Sequence, residues 1–187
     1  WKALAQKTDI SQEQAVAEVA ENMHIELQPA EEGIRILADG ADITGMIREP
    51  EITDASSRIA AFGLVRDILV ARQQEIGRER GVVMEGRDIG SVVFPDAPLK
   101  FYLDASIRER ARRRKKDLER AGHRVDVGEL ERQVFERDRR DMTRSVGPLR
   151  KVEDATVIDT SDLSIEQVVQ AIAEHVDAFL QKAVKRE

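Results

Sequence analysis

Three short runs constrain the fold more than anything else in this chain: Val82-Val83-Met84, Leu99-Lys100-Phe101-Tyr102-Leu103-Asp104 and Ala155-Thr156-Val157-Ile158-Asp159. Each is apolar over most of its length instead of on alternate residues, and helical patterns separate one from the next. A strand with one wet face alternates, whereas a strand that does not alternate is covered on both sides, as in a parallel sheet between helices. The expectation is an α/β protein. Ligands in such folds bind beyond the carboxyl ends of the strands, which here are the segments 86–90, 104–114 and 160–162.

The rest of the pattern fits around that sheet. Ser11 and Gln14 stand at capping-box spacing before Ala15, Val16, Val19 and Met23, which recur at helical intervals. Between residues 24 and 48 the period falls to two. Short strands are expected at 24–28, 34–38 and 42–44, turning at Glu31-Glu32-Gly33 and at Asp39-Gly40. Ile59, Phe62, Val65, Ile68 and Leu69 form one apolar stripe of a helix expected to run from about 51 to 78. Ser106, with Glu109 three residues on, opens an arginine-rich helix that Gly122 closes. A further helix is expected from about 126 to 144, before the break at Gly147-Pro148. Ser164 and Gln167 open the last one.

Composition narrows the function. The chain has no cysteine, so disulfides and thiolate metal sites are excluded, and its three histidines are scattered, so no metal site is expected. No apolar run approaches the roughly 18 residues of a membrane span, and the start carries no signal-peptide pattern, which reads as a cytoplasmic protein without a membrane partner. A net charge of −6 argues against bulk nucleic-acid binding. Yet Arg108, Arg110, Arg112, Arg113, Arg114, Lys115 and Lys116 crowd one helix, and Arg132, Arg137, Arg139, Arg140, Arg144 and Arg150 follow more loosely. Two readings stand: a local anion site at the ligand edge, or a solvated helix face laced with ion pairs to Glu109, Asp117 and Glu119.

The run Glu85-Gly86-Arg87-Asp88-Ile89-Gly90-Ser91-Val92-Val93-Phe94-Pro95-Asp96-Ala97 resembles the bacterial cytidylate kinase family. Ala55-Ser56-Ser57-Arg58-Ile59-Ala60-Ala61, Asp104-Ala105-Ser106 through Arg114, Glu136-Arg137-Asp138-Arg139-Arg140-Asp141 with Arg144, and Leu163-Ser164-Ile165-Glu166-Gln167-Val168 follow in that family's order. The resemblance covers essentially the whole chain. It implies a P-loop nucleoside-monophosphate-kinase-like parallel sheet flanked by helices. Residues 1–22 and 52–187 would be the kinase core, with a lid over about 106–147, and 23–51 the monophosphate-binding β insert. One departure is large. The family opens with a strand and a Gly-rich P-loop, but none of the 11 glycines here is followed by lysine. The resemblance therefore implies that about 40 N-terminal residues of the family pattern are absent from these 187. Without them the strand at 82–84 would lose its neighbour, and the chain alone is expected to be unstable and to transfer no phosphate.

The activity implied is transfer of the γ-phosphoryl group of ATP, with Mg²⁺, to CMP or dCMP, by a monomer. Phosphoryl transfer asks mainly for positioning and positive charge, which the planar fork of arginine supplies. By resemblance Arg110, Arg113 and Arg114, at i, i+3 and i+4 on one helix face, close on the transferring phosphate. Arg87 would bind the CMP phosphate. Arg66, Asp88 and Arg144 would read cytosine, whose amino donor and carbonyl acceptor suit a carboxylate beside an arginine. Ser57, Arg137 and Asp141 would hold the ribose, with Arg137, Asp141 and Arg144 on one face of a single helix. The simpler roles are exposed helix charges for the lid arginines, an i,i+4 ion pair for Arg137–Asp141 and a loop cap for Asp88. Two other functions remain open at this point: a non-catalytic CMP-binding fragment, and an RNA-binding α/β protein that uses the arginine helix.

Overall fold

The structure, a computed structural model, describes residues 1–31, 33–79 and 81–184, apart from the side chain of Glu79. The turn residue Glu32 lies outside the described residues. The chain divides into two compact units, residues 1–93 with 143–148, and residues 94–142 with 149–187.

The first unit begins with the helical turn α1 (Lys2–Ala5) and helix α2 (Glu13–Glu21). Ser11 does not cap α2. Its hydroxyl and amide both bond to Asp9 Oδ1, at 2.7 and 2.9 Å, and the helix starts two residues later. An aspartate two residues upstream competes for the same groups and wins locally. Strands β1 (Ile25–Pro29), β2 (Ile34–Ala38) and β3 (Ala41–Asp42) form an antiparallel sheet with Ile25 opposite Ala38 and Leu27 opposite Ile36. The β2–β3 turn at Asp39-Gly40 has φ of 49° and 80°, the two positive values that a type I′ hairpin requires. The third strand is shorter than expected because Asp42 Oδ1 takes both the amide and the hydroxyl of Thr44.

After a 3₁₀ turn at Met46–Arg48, the single helix expected from 51 to 78 is two: α3 (Pro50–Ile59), with Pro50 in its first turn, and α4 (Gly63–Glu79). The cause is a diverted hydrogen bond. Leu64 N–H, which would continue the ladder to Ala60 O, instead donates to Glu13 Oε1 of α2 at 2.8 Å. Helices α2 and α4 share a core of Val16, Ala17, Ala20 and Val65, against which Ile59, Phe62, Ile68 and Leu69 pack. Val16 and Val65 are 4% and 2% exposed, and burial of a valine contributes about 1.5–3 kcal/mol.

Residues 82–84 form no strand, and Val83 is fully exposed. Apolar character makes a strand only where a neighbour completes the ladder, and among the described residues no strand pairs with this run. The chain continues through a π-helical turn, Ile89–Val93, anchored by the buried Val93, whose carbonyl accepts from Gln74 Nε2 at 3.0 Å.

The second unit holds the parallel pair β4 (Phe101–Asp104) and β5 (Thr156–Asp159), in register from Phe101–Thr156 to Asp104–Asp159. Between them run α5 (Ile107–Arg120) and α6 (Val127–Thr143), which share the buried Ala111, Leu118 and Leu130. Ser106 Oγ accepts from Glu109 N–H at 3.2 Å, so the expected cap of α5 is present. Helix α7 (Ile165–Val184) opens on a complete capping box. Ser164 Oγ accepts from Gln167 N–H at 3.3 Å, and Gln167 Oε1 accepts from Ser164 N–H at 2.8 Å. Among the described residues no helix is long and apolar enough to cross a membrane.

Candidate functional site

The first unit brings together Arg66, Asp88 and Arg144. Arg66 leaves the first turn of α4, and its Nη2 pairs with Asp88 Oδ2. Arg144 Nη2 stands 3.9 Å from the other oxygen, Oδ1. The three side chains are only 10%, 11% and 6% exposed, so the carboxylate is enclosed between two guanidinium groups. Asp88 is held from behind, where its carbonyl accepts from Val92 N–H at 2.8 Å and from Ser91 and Val93 N–H at 3.3 Å. The backbone of this turn is satisfied by that carbonyl, which leaves the Asp88 side chain to the arginines. The simpler role of a side-chain loop cap is not what Asp88 performs.

The gap between α3 and α4 supplies the frame. Ala60 O, released from the helix ladder, faces Arg66 Nη1 at 3.4 Å and Arg144 Nη1 at 3.5 Å. Gly147 O accepts from Arg144 Nε at 2.7 Å. Gly147 has φ of 54°, and a Cβ there would lie 2.1 Å from Arg66 Nη2, so the turn rests its backbone against that guanidinium. Arg144 follows α6 instead of lying on it, which corrects the expectation that it shares a helix face with Arg137 and Asp141. Its partners Ala60, Asp88 and Gly147 all belong to the first unit.

Ser57 is 7% exposed on α3, and its hydroxyl is buried with no hydrogen-bond partner. A buried hydroxyl in that condition costs about 1–3 kcal/mol, and a ligand could relieve the cost. Arg87 is half-buried beside Asp88. Arg66 and Asp88 also contribute charge to the wall of a cavity of about 360 Å³, otherwise largely apolar, with Val16, Ile43, Ile52 and Leu69 on its other sides.

The second unit carries Arg110, Arg113 and Arg114, and their partners differ. Arg110 meets Asp138 of α6 side by side, Nη1 to Oδ1 at 2.9 Å and Nη2 to Oδ2 at 2.5 Å, and its Nε donates to Ala105 O at 3.0 Å. The Asp138 hydrogen bonds hold the Arg110 guanidinium pKa above its ordinary value. Arg113 donates to Glu109 Oε1 at 2.9 Å, to Thr160 Oγ1 at 3.1 Å and to Thr160 O. Thr160 is 4% exposed and binds the end of β4 through Asp104 O, so Arg113 ties α5 to the carboxyl edge of the sheet. Arg112 makes two hydrogen bonds to Glu109, which bring that carboxyl down to about 2, with Arg113 assisting. The ion-paired helix face is thus real along α5, where Lys115–Glu119 and Arg120–Asp117 continue it. Arg114 is half-buried on the same helix. On α6, Arg137 Nε lies 3.9 Å from Oδ2 of the buried Asp141, close enough for ion pairing but too far for a hydrogen bond.

Sequence reasoning passed over Asp138, Thr160 and the Ala60 carbonyl. Asp138 lies inside the run 136–141, Ala60 inside the run 55–61 and Thr160 in the segment leaving β5, so position offers a signal for all three. For Ala60 nothing in the sequence points to its carbonyl as the group involved. Among the described residues no group of three or more acidic or histidine side chains is placed to hold a metal.

Parallel strands flanked by helices, a small antiparallel sheet and buried arginine–carboxylate sets are the build of a nucleoside-monophosphate-kinase-like protein. A family model described as cytidylate kinase matches residues 1–178. The chain is 43% identical over 177 residues to a cytidylate kinase of Geobacillus sp. (strain WCH70), covering 95% of this chain and 79% of that one. It is 41% identical over 182 residues to a cytidylate kinase of Bacillus cereus (strain B4264), covering 97% and 81%. With a bifunctional pantoate ligase/cytidylate kinase of Prochlorococcus marinus (strain MIT 9303) it shares 46% identity over 181 residues, covering 96% of this chain and 36% of that one. The chain therefore spans about a third of the length of such bifunctional relatives. The chain belongs to the cytidylate kinase family.

Proposed function

We propose that the protein transfers the γ-phosphoryl group of ATP to CMP or dCMP, giving CDP or dCDP. The observation that carries this reading is the Asp88 carboxylate enclosed by Arg66 and Arg144. Cytosine offers an amino donor next to a ring-nitrogen acceptor, with its carbonyl oxygen beyond, and a carboxylate beside arginine N–H groups complements that edge. Ser57, Arg137 and Asp141 hold the ribose, and the buried hydroxyl of Ser57 supports its part in this. Arg87 takes the acceptor phosphate. Arg110 and Arg114 supply charge to the transferring group, while Arg113, already committed to Thr160, assists chiefly by holding α5 in place. Mg²⁺ enters with ATP as the counter-ion of the donor phosphates and needs no dedicated carboxylate cluster.

The test is a coupled ADP-release assay on the full-length protein with CMP, dCMP, UMP and AMP as acceptors. Turnover with the two cytosine nucleotides far above the other two is the expected result. Equal rates for CMP and UMP would overturn the reading of the base site, and no ADP release with any acceptor would overturn the activity.

A further inference from the structure

On α5, Arg110 is met by a carboxylate of α6 in a two-point pairing. We infer that Asp138 is the positioning residue for Arg110, fixing its guanidinium to act on the transferred phosphoryl group. The inference rests on the kinase reading above and assigns Asp138 a role within it.

Arg110 stands next to Ala111, which is fully buried where α5 meets α6, so the root of its side chain is fixed by packing. The guanidinium is then held at three points. Nε donates to Ala105 O at the start of the helix, and the two terminal nitrogens grip the two Asp138 oxygens. A carboxylate meeting the fork in this way fixes the plane of the group as well as its distance. The Asp138 side chain is 12% exposed and the Arg110 side chain 30%. The acid is the more buried member and the arginine the more accessible one. These contacts use three of the five guanidinium N–H groups, which leaves two for a ligand. Arg113 differs in what it meets, Glu109 of its own helix and the two oxygen atoms of Thr160, none of which grips its fork as a carboxylate from a second helix does at Arg110. Asp138 itself touches no substrate. Its contribution is that Arg110 arrives already oriented, so less side-chain freedom is lost at the moment of transfer.

The experiment is steady-state kinetics on the full-length protein carrying Asp138→Asn, Asp138→Glu, Arg110→Ala and the Arg110→Ala/Asp138→Asn double change, with thermal melts of each. Asp138→Asn keeps the size of the side chain and removes its charge, so it remains informative even if Asp138→Ala fails to fold. The expected result is a fall in kcat of about tenfold to a hundredfold with KM for CMP little changed. In the Arg110→Ala background the same change should have almost no further effect on kcat, because the group it positions is gone. Asp138→Glu should recover part of the rate. If Asp138→Asn lowers the melting temperature but leaves kcat intact, or if its effect on kcat is as large without Arg110 as with it, the inference is overturned. A wild-type protein with no CMP-dependent turnover would instead overturn the functional reading beneath it.

Discussion

Replacing Asp88 by asparagine removes one charge from between two nearly buried guanidinium groups while keeping the side chain's shape. Removing one partner of a buried pair costs about 3–5 kcal/mol, and asparagine still offers one acceptor oxygen, so a loss of about 2–4 kcal/mol in stability is expected. The geometry supports that scale independently. A unit-charge attraction at the 3.9 Å separation of Arg144 Nη2 and Asp88 Oδ1 is about 4 kcal/mol at an effective dielectric constant near 20, before desolvation is counted. Binding should suffer as well. If Asp88 accepts from the cytosine amino group, CMP should bind about 2–4 kcal/mol more weakly, which is a factor of roughly 30 to 1,000. UMP should lose less, because its edge reverses donor and acceptor and the asparagine amide can turn to donate. Urea unfolding gives the first quantity, and calorimetric titration of the full-length protein with CMP and UMP gives the second. Equal weakening of both nucleotides would refute Asp88 as a base reader and leave it only as the clamp on Arg66 and Arg144. Unchanged stability would refute the enclosed pair itself.

Arg110→Ala or Arg114→Ala should lower kcat about a hundredfold or more with little change in CMP affinity, as for charge felt mainly in the transition state; an effect confined to KM would mark them as ground-state binders. Thr160→Val should destabilise the protein by about 1–3 kcal/mol in urea unfolding, since it strips Asp104 O and Arg113 of the buried hydroxyl; a change below about 0.5 kcal/mol would show that the link between α5 and β5 carries nothing. Glu109 has a folded-state pKa of about 2 against an ordinary 4.5, so its contribution is present above pH 4.5 and is lost as pH falls toward 2. Acid unfolding of Glu109→Gln should therefore lack that part of the pH dependence, and an unaltered acid limb would contradict the assignment.

The elements legible in the sequence are those whose causes are local. The cap at Ser106, the capping box at Ser164, the Asp39-Gly40 turn and the alternating strands around it follow from contacts within a few residues, and all are present. Two expectations, the Ser11 cap and the length of β3, failed to aspartates two residues away; the others turned on segments distant in sequence. The α3–α4 break depends on Glu13 taking the Leu64 amide from 51 residues away. Residues 82–84 have the composition of a buried strand, but pairing is a property of two segments, and composition reports only one.

The same distinction sorts the candidate site. Spacing alone placed Arg110, Arg113 and Arg114 on one helix face, and α5 confirms the helix. Spacing does not say what each arginine meets. Arg110 finds its carboxylate 28 residues later and Arg113 its threonine 47 residues later, and those acceptors turn equivalent positions into different roles. Arg144 makes the converse case. It continues the i, i+4, i+7 series of Arg137 and Asp141, yet the helix ends at Thr143, and its guanidinium goes to Asp88, Ala60 and Gly147 instead. Periodicity beyond a helix end carries no geometric information, because the rotation per residue that gives it meaning has stopped. Composition and spacing therefore locate where positive charge can gather, while the buried acceptors determine which arginine is fixed, which is presented and which is structural. In this chain those acceptors are Asp88, Asp138 and Thr160, all of them nearly buried, and their placement separates arginines held at defined points from those of a merely charged helix face.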